Sequence, residues 1–248
     1  MKRYARIFVS LTIMLFFAFP AVAQEKLSAG VAANYIAAFK EIAAAYEKRA
    51  GVTVEATFAS SGTLYAQITN GAPYDIYLSA DEDRPARLHQ AVIADEPFVY
   101  AKGRCVLWSA RKEFCRARDW RTALAGEGLK RIALANPETA PYGAAVRQAL
   151  QKAGLWEVLE KKRVVAQDIA QAFQYASTEA VDAGFCALSS AVSAQGAKGC
   201  FYEVEEAPEV VQSACVLKRT KSRQGAERFA AFLVSPEAEA IKVKFGYK

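Results

Sequence analysis

The sequence predicts an α/β protein with mixed, mostly parallel sheets flanked by helices. Strand-like and helix-like runs alternate along almost the whole chain, and no internal repeat or low-complexity linker interrupts them. Length sets the scale. Beyond residue 23 there are 225 residues, enough for one large domain or two small lobes.

In order, Lys26 to Val31 reads as a strand. Tyr35 to Arg49 carries Tyr35, Ile36, Phe39, Ile42, Ala43 and Tyr46 at helical spacing, and Gly51 stops the helix. Val52 to Phe58 alternates as a strand does. Thr63 to Thr69 reads as a short helix, Asp75 to Ser79 as a strand, and helical turns run to about Gln90. The theme then repeats. Strands are expected at Cys105 to Ser109, Arg131 to Ala135, Val164 to Ala166, Gly184 to Leu188 and Ser213 to Lys218. Helices are expected at Ala144 to Ala153, Ile169 to Ser177, from just past Leu188 to about Gln195, at Gly225 to Leu233 and at Pro236 to Lys244.

The N-terminus reads differently. Lys2, Arg3 and Arg6 precede an apolar run from Ile7 to Phe19, and Ala21-Val22-Ala23 supplies a small-residue cleavage pattern. The run is short for a membrane span, so residues 1–23 are expected to be a signal peptide cut after Ala23. That places the mature chain outside the cytoplasmic membrane. Its loss lowers the formal charge from +6 to about +3. The scattered Lys and Arg residues and this small charge argue against a nucleic-acid partner.

Five cysteines, at 105, 115, 186, 200 and 215, leave at least one thiol unpaired within the chain. Their spacing fits no common zinc pattern. Cys186 reads as a buried apolar thiol. A bridge such as Cys105–Cys215 or Cys105–Cys115 is compatible with the sequence, which does not choose between them.

Ligands of parallel sheets bind where strands end and helices begin, and four such loops carry small or hydroxyl-bearing residues. The first is Ala32-Ala33-Asn34, where Asn34 could cap a helix or donate its amide to a ligand. Ser60-Ser61-Gly62-Thr63 forms an anion nest at a helix start. Asn136 to Gly143 holds two prolines and then offers the Tyr142 and Gly143 amides. In Ala166-Gln167-Asp168-Ile169, Asp168 reads as the cap and Ile169 falls in the first turn. Each loop alone reads more readily as a plain helix cap or a packing segment than as a ligand loop.

Together they suggest oxyanion chemistry. A fully ionised oxyanion offers only acceptors and therefore selects donors. Each helix N-terminus presents free N–H groups and about half a positive charge. Four aimed at one point can hold a dianion without lysine or arginine. The carboxylates of Asp81 and Asp168 must then turn away, toward their own backbones or neighbouring cations.

Read as a set, these loops resemble the periplasmic molybdate-binding proteins of ABC transporters. Ala32-Ala33-Asn34-Tyr35 is similar to the family's first ligand loop, in the branch that carries Asn. Phe58 to Leu64, Gln67-Ile68 and Gly71 to Asp81 resemble its longest signature. Asn136-Pro137 with Ala140-Pro141-Tyr142-Gly143, Gly184-Phe185 with Ser189, and Phe245-Gly246-Tyr247 match further positions.

The resemblance implies a two-lobed type II periplasmic-binding fold with the ligand cleft between lobes. Residues 24–103 and 211–248 would form lobe one and residues 104–210 lobe two, with crossings near 103–107 and 213–217. It implies ligand donors from Asn34, Ser61, Tyr142 and Ile169, with Ala33 and Ser60 beside them. Asn34 and Ser61 would act through side chain and backbone, Tyr142 and Ile169 mainly through backbone N–H. Some members add a Tyr hydroxyl from the segment matching Ala187. That side chain cannot donate here, and Asn34 and the Tyr142 loop are expected to compensate. The implied ligand is molybdate, then tungstate, with molybdenum held only as the oxyanion. The implied partner is an ABC-transporter permease. The chain is expected to be periplasmic, monomeric and without a cofactor.

The rivals are weaker. Another oxyanion such as sulfate or phosphate, or a sensory oxyanion-binding module, would use the same donors. An enzyme is not expected: His89 is the single histidine, no Gly-x-Ser-x-Gly elbow exists, and Ser60-Ser61 has no nearby base. A ferric-iron site would need Tyr, His and carboxylates together, and Tyr74 and Tyr77 fall on different strand faces.

Overall fold

The computed structural model describes residues 25–126 and 128–248, so the expected cleavage site lies outside the described residues. Two five-stranded sheets organise the chain. In the first, β1 (Lys26–Ala32) runs parallel to β2 (Thr53–Ala59) and β3 (Ile76–Leu78), and β10 (Val210–Val216) lies antiparallel between β3 and β4 (Phe98–Gly103). In the second, β6 (Ile132–Ala135) runs parallel to β7 (Arg163–Ala166) and β8 (Ala183–Ala187), and β5 (Cys105–Ser109) lies antiparallel between β8 and β9 (Cys200–Glu203).

The two sheets are topological twins. The orders are β2-β1-β3-β10-β4 and β7-β6-β8-β5-β9. The sequence shows no repeat because the sheets share connectivity rather than residues. β1 leads through a 3-10 turn (Ala33–Tyr35) and α1 (Ile36–Ala50) to β2, which leads through α2 (Ser61–Thr69) to β3. Likewise β6 leads through α5 (Pro141–Lys152) to β7, and β7 through α6 (Ile169–Ser177) to β8. The helix after the first strand and the helix after the second therefore start at equivalent corners of both sheets.

Each sheet buries both faces, because its side chains alternate. Ile76 and Leu78 join Phe39, Ile42, Phe229 and Leu233 beneath α1, α8 (Arg223–Leu233) and α9 (Pro236–Lys244). Tyr77, between them, faces Leu64, Ile68 and Leu88 under α2 and α3 (Asp83–Gln90). In the second sheet Cys105 and Leu107 join Leu134, Val146 and Leu150, whereas Val106 and Trp108 face Ala172, Ala176 and Cys186.

Local chemistry sets the helix ends. α1 stops at Gly51, whose φ of 70° is left-handed and whose N–H reaches Glu47 O at 2.8 Å. α9 starts with Ser235 as cap and Pro236 next. α2 and α5 begin earlier than their apolar patterns suggest, at Ser61 and Pro141. Two strands without a sequence expectation, β4 and β9, are sheet edges, where one-sided pairing leaves a mixed pattern. The short helix α4 (Trp120–Ala125), capped by Asp119, likewise had none.

Two expectations need correction. The chain passes from β4 to β5 at residues 103–105 and returns between β9 and β10 at residues 204–209. Residues 213–217, expected as the second crossing, instead lie in β10 and just past its end. Ser213, Ala214, Cys215 and Val216 pair with β3 and β4 inside the first sheet. The disulfide is Cys115–Cys200, with Cα atoms 6.1 Å apart, and it ties the 3-10 turn Lys112–Arg116 to β9. Neither Cys105–Cys215 nor Cys105–Cys115 forms, because Cys105 and Cys215 lie inside different sheets and different cores and Cys115 is taken by Cys200. Cys105, Cys186 and Cys215 are buried free thiols.

Candidate functional site

The twin topology points four helix starts at one place. A small cavity is lined by Ala32, Ala33 and Asn34 after β1, Ser60 and Ser61 after β2, Ala140, Pro141 and Tyr142 after β6, and Asp168 and Ile169 after β7, with Ala80 beside them. All six residues singled out from the sequence as donors or their neighbours line this cavity, and all are at least 95% buried. Ala187 lies outside the lining, in β8.

The donors follow from helix geometry. Ser61 and Ile169 are the first residues of α2 and α6, and Tyr142 is the second of α5, positions whose N–H has no intrahelical partner. Asn34 sits in the 3-10 turn that opens α1. Caps keep these amides available. Ser60 Oγ accepts from Thr63 N at 3.2 Å, and Asp168 Oδ1 accepts from Ala170 N and Gln171 N at 2.9 Å each. α5 begins at Pro141 with no side-chain cap at all. Ser61 Oγ accepts the Ala80 N–H at 2.9 Å, which leaves its own hydrogen to donate.

No lysine, arginine or histidine lines the cavity. Its single charged residue is Asp168, whose carboxylate serves its own helix. Asp81 sits further out and is held by the Arg84 backbone N–H at 3.0 Å and by an ion pair with the Arg84 guanidinium. The field inside therefore comes from helix dipoles and N–H groups.

The cleft is closed over this space. The Gly62 N–H donates to Thr139 O across it at 2.9 Å, and Arg84 Nη2 reaches Glu138 O at 3.3 Å. A Cβ at Gly62 would lie 2.9 Å from Thr139 O, so glycine is what permits this approach.

Asn34 departs from its expected role. Its side chain caps no helix. Its Nδ2 donates to Gln212 Oε1 at 2.8 Å and to Tyr247 OH at 3.2 Å, which uses both hydrogens. In that proton arrangement the residue serves the cavity through its backbone alone.

Behind Asn34 lies a buried network absent from the loop motifs. Gln212 Oε1 also accepts from Tyr100 OH at 3.0 Å, and its Nε2 donates to Tyr142 OH at 3.4 Å. Tyr247 OH donates to Asn34 O at 2.7 Å and lies 3.0 Å from Ser189 Oγ, which itself donates to Asn34 O at 2.8 Å. Burial holds the Tyr100 and Tyr142 hydroxyls well above the usual tyrosine range and pushes Tyr247 up to about 12, although hydrogen bonds from its neighbours oppose that rise. All three stay neutral at physiological pH. Tyr142, Ser189 and Tyr247 of this network lie in segments of family resemblance, whereas Gln212 carried no expectation; its available signal is a polar side chain between the apolar ends of Val210-Val211-Gln212-Ser213-Ala214-Cys215-Val216.

Comparison with known proteins agrees with this geometry. A family model described as bacterial extracellular solute-binding protein matches residues 27–248. The chain is 37% identical over 240 residues to a molybdate-binding protein of Rhodobacter capsulatus, covering 96% of this chain and 94% of that one. It is 35% identical over 232 residues to the molybdate-binding protein of Azotobacter vinelandii, covering 90% and 89%. The solved periplasmic molybdate-binding protein of Azotobacter vinelandii superimposes with a TM-score of 0.84 at 35% identity, over 90% of this chain and 98% of that one. Architecture, connectivity and sequence thus agree, and the chain belongs to the bacterial extracellular solute-binding proteins.

Proposed function

We propose that this protein captures molybdate first and tungstate second, with little discrimination between them, in the periplasm and delivers the anion as a monomer to the permease of an ABC importer. The observation that carries the reading is a closed cavity ringed by helix-start N–H groups and the Ser61 hydroxyl, with no cation. Such a site suits a small, fully ionised oxyanion. A protonated anion would bring a donor hydrogen into a ring of donors. Asn34, Ser61, Tyr142 and Ile169 supply the donors, with Ala33 and Ser60 shaping the wall. Hydrogen bonds to a charged partner contribute roughly 1.5–3 kcal/mol each, so several together support tight binding after desolvation. No cofactor enters this reading, and molybdenum is held only through its oxygens. Molybdate and tungstate have nearly the same size and shape, so little discrimination between them is expected.

A thermal-shift panel of molybdate, tungstate, sulfate, phosphate and chromate tests this. A ligand that binds only the folded state raises Tm with the logarithm of its excess over Kd. Clear shifts are expected for the first two and little for sulfate or phosphate. A larger shift with sulfate or phosphate would reassign the ligand, and no shift with any anion would remove the reading.

A further inference from the structure

Gln212 occupies a peculiar position. It is fully buried in the middle of β10, and the pairing of β10 with β4 shifts register between Gln212 and Ser213. A bulge of this kind re-aims a side chain. Here the amide reaches Asn34 on one side and Tyr142 on the other, residues that line the cavity from the first and second sheets. Gly103, where the chain leaves the first sheet, leaves the room: a Cβ there would lie 2.9 Å from Gln212 Nε2.

The heavy atoms of this network accommodate two proton arrangements. In the first, Asn34 Nδ2 donates to Gln212 Oε1 and Tyr247 OH, and the remaining polar atom of the Asn34 side chain is the acceptor Oδ1. As an acceptor it has no hydrogen to offer an anion in the cavity that Asn34 lines. In the second, both amides are turned end for end. Gln212 Nε2 then donates to Asn34 Oδ1 and to Tyr100 OH, and Tyr100 keeps its bond to Ser79 O at 3.2 Å. Gln212 Oε1 accepts from Tyr142 OH. Tyr247 OH and Ser189 continue to hold Asn34 O, so the 3.2 Å contact between Tyr247 OH and the turned Asn34 Oδ1 must lengthen. Every network donor is used, and Asn34 Nδ2 is freed with both hydrogens.

We propose that Gln212 is a positioning residue for the anion site: its amide orientation sets that of Asn34, and the anion selects the arrangement in which Gln212 donates to Asn34 Oδ1 and Asn34 Nδ2 faces the ligand. This rests on the oxyanion reading of the cavity. Gln212 touches no ligand itself. It converts Asn34 from an acceptor wall into a donor and ties that change to Tyr142 on the opposite side of the cleft. Gln212 is the member that forces the switch, since an amide must donate from one end and accept from the other.

The test is a double-mutant cycle in molybdate affinity, with Gln212→Met, Asn34→Ala and their combination. Gln212→Met preserves side-chain length and removes the amide. It is expected to raise Kd about 3- to 30-fold in the wild-type background and less than about twofold when Asn34 is already alanine. An equal effect in both backgrounds, or none in either, overturns the proposal. Wild-type protein gives a second readout that needs no variant. The side-chain amide NMR signals of Asn34 and Gln212 should both move on saturation with molybdate, and unmoved signals would also overturn it. Wild-type protein that fails to bind molybdate would instead sink the oxyanion reading. Tight binding that weakens in Ser61→Ala but ignores Gln212→Met would sink this inference alone.

Discussion

Replacing Ser61 with alanine separates binding from folding at a single atom. The Ser61 hydroxyl lies in the cavity wall, accepts the Ala80 N–H at 2.9 Å and retains its hydrogen for a ligand. Removing it deletes one donor to a charged acceptor, a loss of roughly 1.5–3 kcal/mol. That converts to about a 10- to 150-fold rise in Kd. The same change strips the buried Ala80 N–H of its acceptor, which costs about 1–3 kcal/mol of folding stability whether or not an anion is present. For a chain of this size that is a fall in Tm of several degrees without ligand. Isothermal titration with molybdate at fixed salt measures the first effect, and a thermal melt without anion measures the second. A folded Ser61→Ala protein that binds molybdate within about twofold of wild type would refute the placement of this hydroxyl on the anion. A melt unchanged from wild type would refute the Ala80 contact.

Other outcomes follow from the same contacts. Gly62→Ala places a methyl 2.9 Å from Thr139 O, so closure should be hindered, molybdate affinity should fall by about tenfold or more, and small-angle scattering should show less anion-dependent compaction than wild type. Disrupting the disulfide as Cys115→Ala/Cys200→Ala releases a bridge across 85 residues; the chain-entropy model puts the loss near 4–5 kcal/mol, readable by denaturant titration. A thiol reagent should find no reactive cysteine in the native protein and three after unfolding, since Cys105, Cys186 and Cys215 are buried. Burial pushes the Asp182 carboxyl up, but the Arg131 and Lys130 N–H groups and the Arg111 guanidinium more than offset this and hold it below the usual range. Its contribution is therefore present above the unfolded pKa of ~3.9 and is lost as pH falls through the depressed native value. Asp182→Asn should lower stability at pH 7 by about 2 kcal/mol, with the gap to wild type closing below about pH 4.

Much of this molecule was legible in its sequence, for identifiable reasons. Helices with a strong apolar stripe and a clear stop were readable. α1 ends at Gly51 as its left-handed turn demands, and α6 and α9 keep the bounds their caps suggest. Asp168 caps α6 as its sequence position implies. The four loops were readable because small and hydroxyl residues between a strand and a helix leave amides uncovered. The edge strands β4 and β9 were not, since half of their hydrogen bonding is unsupported and their burial pattern is irregular. The disulfide partners come close only after β9 folds back on β5, 85 residues of contour apart, which no local spacing encodes. The return crossing was misplaced because Val210 to Val216 is one strand in which apolar residues flank Gln212 and Ser213 on both sides. Nothing in its composition shows that it joins the first sheet at its beginning rather than near its end. The Asn34 side chain was assigned a cap or ligand role because both are local habits of asparagine. Its actual partners, Gln212 and Tyr247, are 178 and 213 residues away.

The central claim is that neutral donors at four helix starts hold a doubly charged oxyanion in one cavity. A crystal of the protein grown with molybdate and measured at the molybdenum absorption edge tests it directly. The account requires one strong anomalous peak in the cavity, with oxygens within about 3.2 Å of the Ser61 hydroxyl and of the Tyr142 and Ile169 backbone nitrogens. A peak seated against a lysine or arginine elsewhere, or a cleft left without one, would contradict it.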